Sequence, residues 1–186
     1  LRCAVLELDG PVALRYPRGR GVGRQNYLVK DELTWGRGQL LRPGRDAMIL
    51  AAGPLAYQAL MAAARLEAEG RSVGVWDPCF IKPLDREGIL ALCQDCRAIV
   101  TIEENVASGG FGSQVASLLA GQETGGPRLR CLSLPDAFVE QGTQQRLLQE
   151  LGLDAQGIYE ALRDMLASDQ PRADAEGKRE DGRHGE

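Results

Sequence analysis

Four short strand-like runs, separated by segments of helical character, constrain this chain more than any other feature. They are Ala47 to Ala52, Ser72 to Trp76, Ala98 to Ile102 and Leu129 to Leu134. The first, AMILAA, is apolar throughout and ends at Gly53, the pattern of a strand buried on both faces. Pro54 to Gly70 reads as a helix with Pro54 tolerated in its first turn, Leu55, Ala59, Ala62, Ala63 and Leu66 on one face, and Gly70 closing it. Asp85 caps a second helix, whose inward face carries Ile89, Leu92, Cys93 and Cys96, and a third runs through Val115, Leu118 and Leu119. Gly38 to Arg42 adds a short strand ahead of the first run. Strands alternating with helices make βαβ units, so the fold class is α/β: a mainly parallel sheet with helices on both faces. Two more helices close the unit, one capped by Thr143 and carrying Leu147, Leu148 and Leu151, the other capped by Asp154 and carrying Ile158, Leu162 and Met165.

The ends read differently. LRCAVLELDG has the character of a helix end running into a turn, and with Leu1 at its head the chain reads as beginning inside a larger unit. Val12 to Tyr16 is a short candidate strand, broken by Pro17 and by Gly19 and Gly21. A lone strand needs a sheet to join, and the aperiodic GVGRQNYLVKDELTW after it reads as a linker, which puts a domain boundary near Glu32. From Ser168 onward no large apolar residue occurs, and a segment that cannot offset its ordering entropy is predicted to be disordered.

Composition removes several reaction classes. The single histidine is His184 in the polar tail, so a Ser-His-Asp or Cys-His nucleophile cannot be built, nor a catalytic zinc site of the histidine-bearing kind. Five cysteines, Cys3, Cys79, Cys93, Cys96 and Cys131, are scattered through a chain of 186 residues that is large enough not to need disulfide staples, which favours a reducing compartment. A formal net charge of −4 gives no global positive field for nucleic acid or an anionic membrane. No apolar run approaches the ~20 residues that cross a bilayer.

Several constellations have chemical character, and each has a plainer reading. In RYPRG, Arg15 and Arg18 flank Tyr16-Pro17, where a guanidinium leaving a strand end could hold a phosphate through two parallel hydrogen bonds. On residues alone, a surface turn with two solvated arginines is the preferred reading. Ser108 to Ser113, SGGFGS, follows a strand and opens a helix, so its amides could hold an anion. It fits neither a Walker loop nor the dinucleotide spacing, and close packing of the helix start on its strand is preferred. Glu103-Glu104 leaves the strand in opposite directions, one residue as a cap or ion-pair partner and the other solvated. Cys93 and Cys96 lie late in a helix and read as structural thiols rather than as a redox or zinc pair. Leu134-Pro135-Asp136 and Glu140 to Thr143 are turn and capping chemistry before a helix.

Taken in order, RYPRG, Gly36-Arg37-Gly38, FIKPLD at Phe80 to Asp85, TIEEN with GGFGS, LPDAFVEQGTQ and ELGLDAQGI resemble the C-terminal end of the 1-deoxy-D-xylulose-5-phosphate synthase family, from about Gly10 to Leu166. KPLD and the glycine turn are shared with transketolases and 2-oxoacid dehydrogenase β chains, whereas RYPRG combined with LPDAFVEQGTQ is more specific. The resemblance implies a thiamine diphosphate and Mg2+ enzyme of the transketolase type, cytoplasmic and homodimeric, which condenses pyruvate with glyceraldehyde 3-phosphate for isoprenoid, thiamine and pyridoxal synthesis. It implies a five-stranded, mainly parallel sheet with one antiparallel edge strand. It also divides the chain: 1–31 as the end of the pyrimidine-binding domain and a linker, 32–166 as the transketolase C-terminal domain, 167–186 as a disordered tail. The cofactor of that family lies between two earlier domains, and no Gly-Asp-Gly with a later Asn occurs here; Leu8-Asp9-Gly10 is not that motif. The expectation is a fragment with no catalytic, cofactor-binding or metal-binding residue of its own, inactive and binding no cofactor alone. The one site residue carried over is Arg18, for the phosphate of glyceraldehyde 3-phosphate. Its partners would be the missing N-terminal and pyrimidine-binding domains, with no nucleic acid and no membrane. One departure is Cys79, where the family usually has arginine, which bears on domain packing. The alternatives are a docking module of a split transketolase-like enzyme and the C-terminal domain of a 2-oxoacid dehydrogenase β chain.

Overall fold

The computed structural model describes residues 2–16, 33–122 and 126–167. After α1 (Arg2–Leu6) the order is β1 (Gln39–Arg42), β2 (Ala47–Ala51), α2 (Leu55–Ala68), β3 (Val73–Asp77), α3 (Arg86–Asp95), β4 (Ala98–Val106), α4 (Phe111–Ala120), β5 (Arg128–Leu134), α5 (Gln144–Glu150) and α6 (Ala155–Ala167). The strands form one sheet in the order β1-β3-β2-β4-β5. β2, β3, β4 and β5 are parallel, and β1 alone runs antiparallel, against β3. The expected α/β class, five-stranded sheet and antiparallel edge strand are all present.

The alternation of side chains along each strand divides the core in two. Ala47, Ile49 and Ala51 of β2, Val73 and Val75 of β3, and Ala98, Val100 and Ile102 of β4 face α2 and α6, and pack with Leu55, Ala59, Ala62, Leu66, Ile158 and Leu162. Met48, Leu50, Trp76 and Ile99 face the other way, against Ile89 of α3 and Phe111, Val115 and Leu118 of α4. The alanines of α2 let that helix lie close to the sheet, which accounts for a face rich in Ala rather than Leu. Gly70 follows the end of α2 with φ of 79°, the left-handed conformation that glycine adopts at low cost.

Two expectations about strands need correction. Val12 to Tyr16 is not a strand: a strand needs a ladder partner, the described residues offer this segment none, and it is held through Arg15 instead. The third run does not end at Ile102. β4 continues through Glu103-Glu104-Asn105 to Val106, whose pairing with Leu134 resumes after a register shift. The linker, the proposed boundary near Glu32 and the tail from Ser168 lie outside the described residues.

Candidate functional site at the C-terminal edge of the sheet

Parallel strands deliver their C-terminal ends, and the loops that follow, to one edge of the sheet, where ligands of open α/β folds are usually held. At β4 that edge is occupied from within. Glu103 is 4% exposed, and it lies on the face of β4 shared with Ile99 and Thr101, beneath the start of α4. Its Oε2 accepts from the Phe111 amide at 2.8 Å and its Oε1 from the Gly112 amide at 2.7 Å. A buried carboxylate is costly in an apolar interior, but here the helix N-terminus supplies two charge-assisted hydrogen bonds and the positive end of its dipole.

The glycines make this approach possible. A Cβ on Gly110 would come within 2.6 Å of both Glu103 carboxylate oxygens, and one on Gly112 within 2.6 Å of Thr101 Oγ1 and 3.0 Å of Cys131 Sγ. The glycine turn is therefore the close-packed helix start expected of it, and the Phe111 and Gly112 amides that could have taken an anion are spent on the chain's own carboxylate. Glu104, pointing the other way, joins two further segments. Arg15 Nη2 donates to its carbonyl oxygen at 2.6 Å, and Gln144 Nε2 to its Oε1 at 3.2 Å. Arg15 is exposed, yet it is tethered by this bond, which ties the residues up to Tyr16 to the end of β4. Arg18 itself lies outside the described residues.

A second junction lies at the start of α3. Asp85 is 6% exposed and caps the helix by accepting from the Gly88 amide at 2.9 Å. It also accepts from the Gly38 amide at 2.9 Å and from Arg37 Nη1 at 3.1 Å, while Arg37 Nη2 reaches Glu87 at 2.7 Å. Burial alone would raise this carboxyl, but the Gly38 and Gly88 amides and Arg37 outweigh it and hold it below the usual carboxylate range. Gly36-Arg37-Gly38 and FIKPLD, distant in sequence, are therefore one structural unit that fixes the chain entering β1. Trp35 and Phe80 meet edge to face beside it, ring centroids 4.9 Å apart. The sequence marks Asp85 only as a cap; its bond to Gly38 depends on β1 lying antiparallel beside β3, and no local signal reveals that.

Cys79, Cys93 and Cys96 are shielded thiols. Burial pushes the Cys93 thiol up to about 11, and Cys96 is buried at the end of α3. Cys79 follows β3 with φ of 55°, its amide bonded to Asp77 Oδ1 at 2.9 Å. Burial, and then the charge of Asp77, push its thiol up to about 12. Burial likewise raises the Asp77 carboxyl, against the opposing Cys79 amide. An open groove of about 290 Å³ lies beside Leu84, Arg86, Ser113 and Ser117, but its serine hydroxyls are spent on the carbonyls of Gly110 and Ser113.

The described residues do not fit a magnesium-held diphosphate. Among them no three His, Cys, Asp or Glu side chains are grouped to hold a metal ion, and the helix start best placed for a phosphate is filled by Glu103. Nor, among them, is any helix long and apolar enough to cross a membrane.

Residues 36–158 match the family model described as "Transketolase, C-terminal domain". The chain belongs to the transketolase C-terminal domain family. Curated relatives of this transketolase domain are named 1-deoxy-D-xylulose-5-phosphate synthase. The Syntrophotalea carbinolica protein is 45% identical over 167 residues, covering 90% of this chain and 26% of that protein. Synthase 1 of Geobacter metallireducens is 42% identical over 166 residues, covering 89% and 27%. The chain thus spans about a quarter of the length of these relatives. A solved structure titled "Split gene transketolase, inactive beta4 tetramer" superposes with a TM-score of 0.67 at 36% identity, over 73% of this chain and 44% of that one.

Proposed function

We propose that this chain is the C-terminal part of a 1-deoxy-D-xylulose-5-phosphate synthase. In that reaction pyruvate loses carbon dioxide and its remaining two carbons are joined to the aldehyde carbon of glyceraldehyde 3-phosphate. Residues 32–166 form the transketolase C-terminal domain, and 1–31 belong to the end of the preceding domain and the linker. The observation that carries this reading is the 45% identity to a named synthase across 90% of the chain.

The thiamine diphosphate and magnesium of such an enzyme would be held by the remainder of the protein. This chain's contribution to the chemistry is a phosphate clamp. Arg18 is its donor, because a guanidinium offers two parallel hydrogen bonds to a phosphate that a lysine cannot reproduce. The engagement of Arg15 by the Glu104 carbonyl supports Arg18 rather than Arg15 in that role. Binding one substrate's phosphate group, with the reaction centre built elsewhere in the enzyme, is a role such a chain can fill with a single guanidinium.

The test is a chimera in which the matched C-terminal residues of the Syntrophotalea carbinolica synthase are replaced by this chain. It is expected to form 1-deoxy-D-xylulose 5-phosphate. Arg18→Ala should then raise KM for glyceraldehyde 3-phosphate, with pyruvate KM and cofactor affinity nearly unchanged and Arg18→Lys only partly restoring. Equal losses for both substrates and the cofactor would remove Arg18 from the role.

A further inference from the structure

Every residue from Pro135 to Arg146 is exposed. Within this loop Phe138 stands at 108% and Val139 at 39% relative exposure, and α5, which follows it, has no buried residue. The segment carrying Arg15 brings further uncovered apolar groups, Leu14 at 52% and Tyr16 at 84%. The two segments meet at Glu104, which takes Arg15 on its carbonyl and Gln144 on its carboxylate. Isolated exposed apolar side chains are ordinary on a protein surface. An aromatic side chain standing wholly free, beside a helix that only half-buries Leu147 and Leu148 and a second segment with apolar groups, is instead the form of an uncovered interface.

We propose that this face, with Phe138 as its anchor, seats the part of the synthase that the chain does not span, whether joined to it or supplied separately; the proposal rests on the reading given above. Two observations favour that occupant. The chain accounts for only 26% of the length of its Syntrophotalea relative, so a large body of protein is available to cover the face. The segment leading to Arg18, which would have to reach a substrate bound in that body, already lies on this edge. A second copy of the chain suits the face poorly. Asp136 and Glu140 rim the loop, and a two-fold contact through Phe138 would bring both acidic rims together. The complementary surface is an apolar pocket for Phe138 with basic groups at its margin.

The experiment is hydroxyl-radical footprinting of Phe138 in the 186-residue chain alone and in the chimera, together with Phe138→Ser in both. Phe138 should be oxidised freely in the chain alone at every concentration and be protected in the chimera. Phe138→Ser should leave the melting temperature of the chain unchanged while lowering that of the chimera. Equal oxidation in both proteins overturns the proposal, as does protection in the isolated chain that grows with its concentration, which would identify a second copy as the occupant. An active chimera with Phe138 freely oxidised sinks the docking face and leaves the synthase reading intact; a protected Phe138 in an inactive chimera does the reverse. If the chimera does not fold, the upstream three quarters of the relative is purified and added in trans, where protection supports the proposal and its absence overturns it.

Discussion

Removing the Glu103 carboxylate should both destabilise the domain and expose an anion site that the wild-type chain fills itself. In Glu103→Ala the amides of Phe111 and Gly112 lose the acceptors that now stand at 2.8 and 2.7 Å. Charge-assisted hydrogen bonds are worth about 1.5–3 kcal/mol each. Water entering the vacated space returns part of the sum, leaving a loss of about 3–4 kcal/mol, a large share of the 5–15 kcal/mol typical of a domain. Glu103→Gln keeps the shape but sets an amide NH2 against one of the two backbone donors, and should cost about 2 kcal/mol. Urea denaturation followed by circular dichroism measures both. The decisive arm is rescue. Acetate or formate at tenfold over its dissociation constant should restore about 1.4 kcal/mol to the alanine variant and nothing to the glutamine variant or the wild type, where the site is full. Losses below about 0.5 kcal/mol in both variants, or equal stabilisation of all three proteins by acetate, would refute the reasoning.

The remaining expectations concern Asp85, Asp77 and the thiols. Asp85 is held below its ordinary value, so its contribution is present above the unfolded pKa of about 3.9 and is lost as pH falls through the folded value; Asp85→Asn should be less stable at pH 7 and flatten the acid limb of a stability-against-pH curve. Asp77 is raised by burial, so its penalty appears as pH rises from about 3.9 through the folded value, and Asp77→Asn should gain stability relative to wild type across that window. With Cys79 raised to about 12 and Cys93 to about 11 and Cys131 exposed, iodoacetamide at pH 8 followed by peptide mass spectrometry should find Cys131 labelled before Cys79 and Cys93; the reverse order would contradict the burial of the two slower thiols.

The parallel strands were legible because a strand buried on both faces writes itself as an apolar run, and AMILAA has no other comfortable place in a fold of this size. The helices were legible from their caps: Asp85, Thr143 and Asp154 each accept from an amide three residues on. Glu103-Glu104-Asn105 hid the last four of the nine residues of β4, since three polar residues look like a loop. They belong to the strand because a helix N-terminus makes a buried carboxylate stable, a condition set by α4 and not by the strand's own sequence. The opposite error arose at Val12 to Tyr16, where Val12 and Tyr16 imitate a strand that has no ladder partner among the described residues. At the candidate site, the glycine turn and the split roles of Glu103 and Glu104 were readable from spacing. The hold of Arg15 on Glu104 was not, because the two are 89 residues apart and only the folded sheet brings them together. Phe138 was equally hidden, since a sequence does not reveal which apolar residue of a loop remains uncovered.

The central claim is that the chain supplies a phosphate-holding arginine to a reaction centre built by other parts of a synthase. Titration calorimetry of the purified 186-residue chain with thiamine diphosphate and Mg2+, repeated with the Syntrophotalea upstream part present, tests it most directly. No saturable heat from the chain alone, and 1-deoxy-D-xylulose 5-phosphate formed only when both parts are combined, is the expected result. Saturable, magnesium-dependent binding of thiamine diphosphate to the chain alone would contradict the account.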